Sequence, residues 1–398
     1  MRASGVERPF IYHSPQYPGF TSWCGLWNMP DGSVMFCFTQ ATGPVLGRPR
    51  APQQVRRNLD WPPPGHSEAY DMTGLCLRNL HLRSSDGGYT WQTVSADAFA
   101  SCMNGVTGEA EAALADGSIL RAVWGQYLPY DNLPRTGLLQ RSSDGSRTWS
   151  AAEVIYRDET QVFWPTRLRV LRDGRVVVSG GLSPASPDGR LRGTGQVISQ
   201  VLLASEDQGL TWNGPIHVVP ETQRGELSGE EFDFSELTSG DLLVVSRAAT
   251  VRPRQPQDAG EHLWQTRLVK AGATWQPTAM VPAPFPHSGH PELLGTREGL
   301  ILHLATSGVS WTTDEGASWG ELGLGDGLQE LGWCLPGTHY YPRAVQMYNG
   351  EVLCVGHVGG DNGYGTVDQA IIGLRFSLTG GMSAHVASPS GEMRGASW

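Results

Sequence analysis

Short apolar runs, each placed directly after a turn glycine, recur along the whole chain. The six runs lie at residues 33–36, 118–120, 175–178, 241–245, 300–302 and 351–353. No long apolar stretch repeats at the spacing of an amphipathic helix. The pattern therefore predicts an all-β fold that contains six equivalent hairpins, each closed by a glycine turn.

A polar motif, S/T-x-D-x-G-x-T/S-W, recurs between these hairpins. Good copies lie at residues 84–91, 142–149, 205–212 and 312–319, and a copy at 270–275 has lost the aspartate. The aspartate of such a motif accepts hydrogen bonds from its own turn, and the glycine permits a positive φ. The tryptophan begins the next strand and is expected to be buried between sheets. We therefore interpret the motif aspartates as turn residues with no catalytic role.

This motif resembles the Asp-box, or BNR repeat, of sialidases (neuraminidases) and related propellers. The resemblance implies a six-bladed β-propeller of sialidase type, with about four short strands in each blade. Six blades account for most of the 398 residues, so we expect a single domain over residues 1–398. Residues 9–12 are expected to close the ring by pairing with residues 370–374. A long irregular insertion at about residues 40–75 interrupts blade one, and insertions of that length are often functional.

Charge and hydropathy exclude several classes of partner. The net charge is -10 and no basic run is present, which argues against a nucleic-acid partner. No segment approaches about 18 apolar residues, so we expect no membrane span. The first residues contain no apolar signal-peptide core, which predicts a cytoplasmic protein, or a secreted one if a signal has been trimmed.

Cysteine and histidine spacing gives no indication of a metal or cofactor. The six cysteines form no CxxC pair, and we expect Cys24, Cys37, Cys76 and Cys354 to be buried free thiols. The group His287, His290, Glu292 and His303 matches no standard metal site. The sequence therefore predicts an activity without metal or cofactor.

The six hairpins allow equivalent positions on the inner strands to be compared. Nine residues before each turn glycine stand Trp23, Gly108, Pro165, Glu231, His290 and Tyr341, and seven before it stand Gly25, Ala110, Arg167, Asp233, Glu292 and Arg343. Strand alternation places these two layers on one face. An apolar core would not contain so many charged residues, because buried charges are costly unless paired. We expect them to line a carbohydrate site at the channel mouth, the alternative being charges that pair within the channel wall.

The sialidase resemblance implies roles for several of these residues. Tyr341 opens the last inner strand and corresponds to the nucleophile. Glu231, in the run EFDFSEL, corresponds to the carboxylate that activates the nucleophile. Arg247 resembles an anion-binding arginine. Asp71 is the candidate acid/base and Asp60 the second choice.

The resemblance is weaker in the residues that bind the substrate carboxylate. Blade one has GFTSW at residues 19–23 and blade five has LHLAT at 302–306, both without the family's arginine. Arg343 and Arg167 can supply positive charge from other blades. We therefore expect an exo-acting glycoside hydrolase for a terminal acidic sugar, either sialic acid-like or a uronate, while a neutral sugar stays open.

Other chemistry competes with this interpretation. Glu231 with Glu292, or Asp233 with Glu292, would serve as two ordinary carboxylates on a neutral glycoside. In a polysaccharide lyase, His290 or Tyr341 would remove a proton beside a uronate carboxylate neutralised by Arg343 or Arg167. A non-catalytic carbohydrate-binding propeller would instead stack sugars on aromatic residues, for which the candidates are Trp23, Trp27, Trp61, Trp164, Tyr340 and Tyr341.

Overall fold

The regular secondary structure of the described part of the chain is almost entirely β-strand. The computed structural model describes residues 1–14, 19–43, 47, 49, 74–99, 110–124, 136–184, 197–251, 261–285, 289–305, 308–324, 342–358 and 370–379. These residues form six antiparallel sheets in a propeller arrangement, which confirms the predicted fold class. Of the blade-one insertion, residues 44–46, 48 and 50–73 lie outside the described residues.

Each of the first three blades contains four strands, which pair in chain order from the inner edge outward. Blade one contains β3 (Gly19–Asn28), β4 (Val34–Thr42), β5 (Cys76–Ser84) and β6 (Gln92–Phe99). Blade two contains β7 (Glu111–Ala113), β8 (Ile119–Trp124), β9 (Thr136–Ser142) and β10 (Glu153–Arg157). Blade three contains β11 (Gln161–Val170), β12 (Val176–Pro184), β13 (Ser199–Ser205) and β14 (Asn213–His217).

The last three blades vary this plan. Blade four contains β15 (Leu227–Ser228), β16 (Phe232–Glu236), β17 (Leu242–Thr250), β18 (Glu261–Ala271), β19 (Thr274–Pro277) and β20 (Val281–Pro282), after a 3-10 turn at Glu221–Gln223. Blade five contains β21 (Glu292–Gly295), β22 (Ile301–Ala305), β23 (Gly308–Thr312) and β24 (Gly320–Glu321). Blade six contains β25 (Arg343–Gln346), β26 (Val352–Val358) and β27 (Ala370–Thr379), and is completed by β1 (Arg2–Glu7) and β2 (Phe10–His13).

The six predicted inner hairpins share one turn geometry. In each, the turn glycine has φ between 82° and 90° and its N–H donates to the carbonyl three residues earlier. A side chain at such a φ would clash with its own backbone, so the glycine is required by the conformation. The glycines are Gly32, Gly117, Gly174, Gly240, Gly299 and Gly350. This common turn sets the same register in every inner strand, which is why counting back from it finds equivalent positions.

The hydrophobic core is divided among the blade interfaces. Each of six buried clusters joins residues of two neighbouring blades, and together they run around the whole ring. Phe232 and Phe234 of β16, for example, pack against strands of blade three. Each sheet thus buries both faces against its neighbours, as expected for radially repeated sheets.

The repeated aspartate motif forms the predicted turn. In the first copy, Asp86 Oδ1 accepts the Thr90 N–H at 2.9 Å and Oδ2 accepts the Thr90 hydroxyl at 2.6 Å. Hydrogen bonds from the hydroxyls of Thr90, Thr211 and Ser318, with the matching backbone N–H groups, lower the pKa of Asp86, Asp207 and Asp314 to about 2. These carboxylates stabilise turns on the outside of the ring.

The motif tryptophans lie between sheets, as the sequence predicts. In the four good copies the tryptophan is half-buried and packs against a core cluster that joins two blades. In the copy that lost its aspartate, Trp275 is 1% exposed, donates from Nε1 to the Gly240 carbonyl and lies 4.3 Å from the Arg175 guanidinium. Tight packing replaces the aspartate as the means of fixing this turn.

The cysteine and membrane expectations have separate outcomes. Cys24, Cys37 and Cys354 are buried and have reduced thiols, as predicted, but Cys76 is exposed, because it begins β5 at the edge of the undescribed insertion. Among the described residues, no helix is both long and apolar enough to span a membrane.

Candidate functional site

Four charged side chains from four blades meet in one buried network beside the channel axis. Arg167 of β11 contacts Glu292 of β21, and its Nε lies 3.5 Å from Asp233 of β16. Arg343 of β25 reaches Glu292 at 3.5 Å. Their side chains are at most 7% exposed. These are the four charged residues that stand seven positions before a turn glycine, and we call them the inner ring.

Backbone groups hold the carboxylates of the inner ring in place. The Ala344 N–H donates to Glu292 Oε1 at 2.8 Å, and the Leu293 N–H donates to Asp233 Oδ2 at 2.7 Å. Arg343 donates to the Pro342 carbonyl at 2.7 Å. Each of these contacts joins a side chain to a strand of its own or the next blade, so the ring also links the blades.

Burial and neighbouring charge shift the pKa values in this network in different directions. Burial raises the pKa of Glu292, although the guanidinium of Arg167 acts against it. For Asp233, burial is outweighed by Arg169 and Arg167, which hold its pKa below the usual range. Burial and the charge of Arg343 lower the pKa of Arg167 to about 10. The carboxylate of Asp233 is thus stabilised as an anion more strongly than that of Glu292.

A more accessible ion pair lies at the start of the blade-four inner strand. Arg247 donates from its Nη1 to Glu231 Oε2 at 2.6 Å, and its N–H donates to the Glu231 carbonyl at 2.8 Å. The two side chains are 32% and 21% exposed, unlike those of the inner ring. Two residues further along the chain, Asp233 belongs to the ring. Glu231 therefore lies just before β16, at the accessible end of that strand. The next side chain on the same face, that of Asp233, is fully buried.

His290 lies beside Arg343 of the blade-six strand. Its Nδ1 is 3.5 Å from Arg343 Nη1, and it is only 5% exposed. Burial, followed by the charges of Arg343 and Arg167, lowers its pKa well below 6.5, and Arg247 acts in the same direction. Its imidazole is therefore neutral at ordinary pH.

The structure does not describe the whole predicted site. Tyr341, Asp71, Asp60, Trp61 and Tyr340 lie outside the described residues. The backbone of Trp23 lies in β3, but its side chain is outside the described part. The roles of these residues stay predictions.

The alignment of the six inner hairpins did not identify Arg169 as a member of the site. Its Nε donates to Asp233 Oδ1 at 3.0 Å and its Nη2 to the Leu293 carbonyl at 2.7 Å. Arg169 stands two residues after Arg167 on β11, hence on the same face of the strand. That spacing was the signal that could have identified it.

A concave region lies toward the end of the channel where the inner hairpins turn. A cavity of about 470 Å³ is lined there by Trp27, Arg172, Glu236 and Arg297, and it extends to Arg167 and Arg169 of the charged network. Its charged groups are engaged in contacts between blades: Arg172 pairs with Glu236 at 3.2 Å, and Arg297 donates to the Tyr348 carbonyl at 3.0 Å. Because Arg167 is part of the lining, the inner ring borders this cavity.

Neither protein-family models nor curated proteins match this chain at the level of sequence. Solved structures do match over nearly its whole length. A protein of unknown function from Dyadobacter fermentans is 18% identical, with a TM-score of 0.62, and the match covers 94% of this chain and 100% of that one. A Hadza microbial sialidase is 16% identical, with a TM-score of 0.55, and the match covers 90% of this chain and 66% of that one.

The similarity extends to a second group of enzymes. The GH93 α-L-arabinofuranosidase of Fusarium graminearum, solved with arabinobiose, is 12% identical, with a TM-score of 0.57 and coverage of 94% and 98%. Identities this low establish shared architecture and leave the chemistry to be argued from the residues. The chain is a six-bladed β-propeller with the fold of these sialidase and arabinofuranosidase structures.

Proposed function

We propose that the protein is a glycoside hydrolase whose substrate binds at the mouth formed by the beginnings of the inner strands. The observation that supports this most strongly is the Glu231–Arg247 pair, a partly exposed carboxylate held at 2.6 Å by a guanidinium in front of the buried inner ring. Such a carboxylate is rigid, oriented and open to a ligand, which are the requirements for proton transfer.

Glu231 and Tyr341 form the proposed nucleophile pair. A tyrosine with an ordinary pKa of about 10 is a weak nucleophile until a neighbouring base takes its proton. Tyr341 precedes Pro342, whose carbonyl accepts a hydrogen bond from Arg343 of the inner ring. Arg343 also contacts His290, on which the charge of Arg247 acts. This places the start of the blade-six strand on the same side of the channel as the Glu231–Arg247 pair. Asp71 is the proposed acid/base.

The proposed substrate is a terminal sugar, with an acidic sugar favoured. Arg247 exposes about a third of its side chain at the mouth, where a planar guanidinium suits a carboxylate. The inner ring is too buried to contact a sugar directly, so Arg167 and Arg343 would act on the substrate through their field. Because the matched structures include both sialidases and an arabinofuranosidase, sialic acids, uronates and arabinofuranosides all belong in the test.

A lyase is the second candidate, supported by the neutral imidazole of His290. A neutral imidazole can accept a proton, and Arg343 lies 3.5 Å from it, but His290 is only 5% exposed, which ranks the lyase below the hydrolase. A lyase would form an unsaturated product that absorbs in the near ultraviolet, whereas a hydrolase would not. Burial of Asp233 and Glu292, each 1% exposed or less, argues against these two as the reacting pair on a neutral glycoside.

The test compares two glutamates that flank the same inner strand. Glu231→Gln removes the mouth carboxylate, and Glu236→Gln removes the one that pairs with Arg172 at the cavity near the hairpin turns. On a panel of aryl glycosides we expect the first change to lower kcat by about 10²–10⁴-fold and the second to leave it nearly unchanged.

Tyr341→Phe should abolish turnover without unfolding the chain. Full activity in Glu231→Gln would refute the assignment, and loss only in Glu236→Gln would move the site to that cavity. Sugar binding without product release by the wild-type protein would favour the non-catalytic propeller.

A further inference from the structure

Cys37, His81 and Glu111 form a buried cluster at the interface of blades one and two, away from the proposed site. They lie on β4, β5 and β7, and their donor atoms are all within 4.8 Å of one another. Exposure is 1%, 0% and 5%, respectively. Sequence spacings of 44 and 30 residues form no recognised motif, so only the fold reveals the group.

We propose that Cys37, His81 and Glu111 bind one zinc-class divalent cation. Thiolate, imidazole and carboxylate are the ligands that zinc takes in proteins, and the combination is poorly suited to magnesium or calcium. A thiolate and a carboxylate also supply two negative charges, which neutralise a divalent cation in a site this deeply buried. The proposal is independent of the proposed hydrolase activity.

The donor geometry suits four-coordination. His81 Nε2 lies 3.2 Å and 3.0 Å from the two oxygens of Glu111, so both oxygens face the same point. One carboxylate oxygen, one nitrogen and one sulfur give three protein donors and leave a fourth position open, as in zinc sites with three protein ligands. Bonds of about 2.0–2.3 Å place tetrahedral donors about 3.3–3.8 Å apart, so side-chain shifts of about an ångström close the site.

Neighbouring groups orient the two blade-one ligands. Gly25, Cys37, His81 and Ser95 lie directly opposite one another across four strands. The Gly25 N–H donates to the Cys37 sulfur, and the Ser95 hydroxyl lies 3.2 Å from His81 Nδ1. The second nitrogen of a ligating histidine is usually held by a hydrogen bond of this kind, and the serine hydroxyl can accept a hydrogen bond from Nδ1–H when the metal binds Nε2.

The nearest guanidinium already has a carboxylate partner. Arg121, which lies opposite Glu111 in blade two, pairs with Asp97 at 3.0 Å and donates to Gln140 at 2.8 Å. Its guanidinium also lies 3.9 Å from the ring centre of Trp149. The carboxylate of Glu111 therefore faces His81. A cation bound by both residues would link blade one to blade two.

The experiment measures metal content and spectrum in the full chain. The protein is expressed in zinc- or cobalt-supplemented medium, dialysed against metal-free buffer and analysed by mass spectrometry for bound metal. We expect about one equivalent per chain in the wild type and less than about a tenth in Cys37→Ser and Glu111→Gln. Cys354→Ser removes an equally buried thiol of another interface and should retain the full equivalent.

The cobalt form keeps the proposal testable even if a variant fails to fold. In the wild type it should show a thiolate-to-cobalt charge-transfer band and the visible bands of tetrahedral cobalt. Wild-type protein with less than about a tenth of an equivalent from either medium would show that His81 and Glu111 are a simple buried ion pair, and would overturn the proposal. Undiminished metal in Cys37→Ser would overturn it as well.

Discussion

Glu292 is the residue whose neutralisation best tests the inner ring. It is 0% exposed and contacts Arg167 and Arg343, while the Ala344 N–H donates to it at 2.8 Å. Glu292→Gln keeps the shape and an oxygen for that N–H, but removes the negative charge from between two buried guanidiniums. Breaking a buried ion pair by removing one partner costs about 3–5 kcal/mol.

This cost converts into a measurable shift of the melting temperature. An unfolding entropy of about 2.1 cal/mol/K per residue gives about 0.8 kcal/mol/K for 398 residues. A loss of about 3–5 kcal/mol therefore lowers Tm by about 4–6 °C, which calorimetry or circular dichroism resolves.

Two further variants separate charge pairing from loss of packing. Arg343→Met combined with Glu292→Gln should destabilise less than the sum of the single changes, with a coupling of about 0.5–3 kcal/mol. Glu321→Gln, on the exposed outer edge of the same blade, should stay within about 0.5 kcal/mol of the wild type. A Tm for Glu292→Gln within about 1 °C of the wild type would refute the reasoning, and would mean that Glu292 is neutral in the folded chain.

Two further predictions concern backbone packing and pH. Gly180→Ala places a methyl group 2.3 Å from the Trp164 carbonyl and should cost about 3 kcal/mol by thermal denaturation, whereas Gly323→Ala meets nothing within 4 Å and should be neutral. Turn carboxylates such as Asp86, whose pKa the Thr90 hydroxyl helps lower from 3.8 to about 2, stabilise the folded chain above pH 3.8. Tm should therefore fall between pH 3.8 and about 2, and more shallowly in Asp86→Asn; equal slopes would contradict this.

The sequence contained enough information to predict the architecture and part of the site. A turn glycine that requires positive φ is visible as a residue type, and so are the periodic apolar runs that follow it. Counting from that glycine brought Arg167, Asp233, Glu292 and Arg343 to one level, where the structure shows them in contact. Repeats translate directly into geometry, because each copy repeats the same turn.

Which side chains pair with one another was harder to predict than their level on the inner strands. The motif could not show that Arg169 shares Asp233 with Arg167, or that the inner ring would be sealed while Glu231 stays accessible. Cys37, His81 and Glu111 are brought together by pairing within blade one and packing against blade two. Contacts between side chains far apart in sequence depend on the closed ring, and no local pattern encodes them.

The strands that close the ring also constrain how the molecule can assemble. Arg2 pairs with Thr379 and Phe10 with Ile372, so blade six joins residues separated by more than 350 positions. Closing so long a loop is entropically costly and slow, because these contacts stabilise the fold only when the intervening blades have formed. Until then β27 presents an unpaired edge to any other strand. Detachment of β1 and β2 would therefore expose the unpaired backbone edge of β27, with which a strand of another molecule can pair. The rate of this opening should govern both the lifetime of the closed ring and its tendency to aggregate.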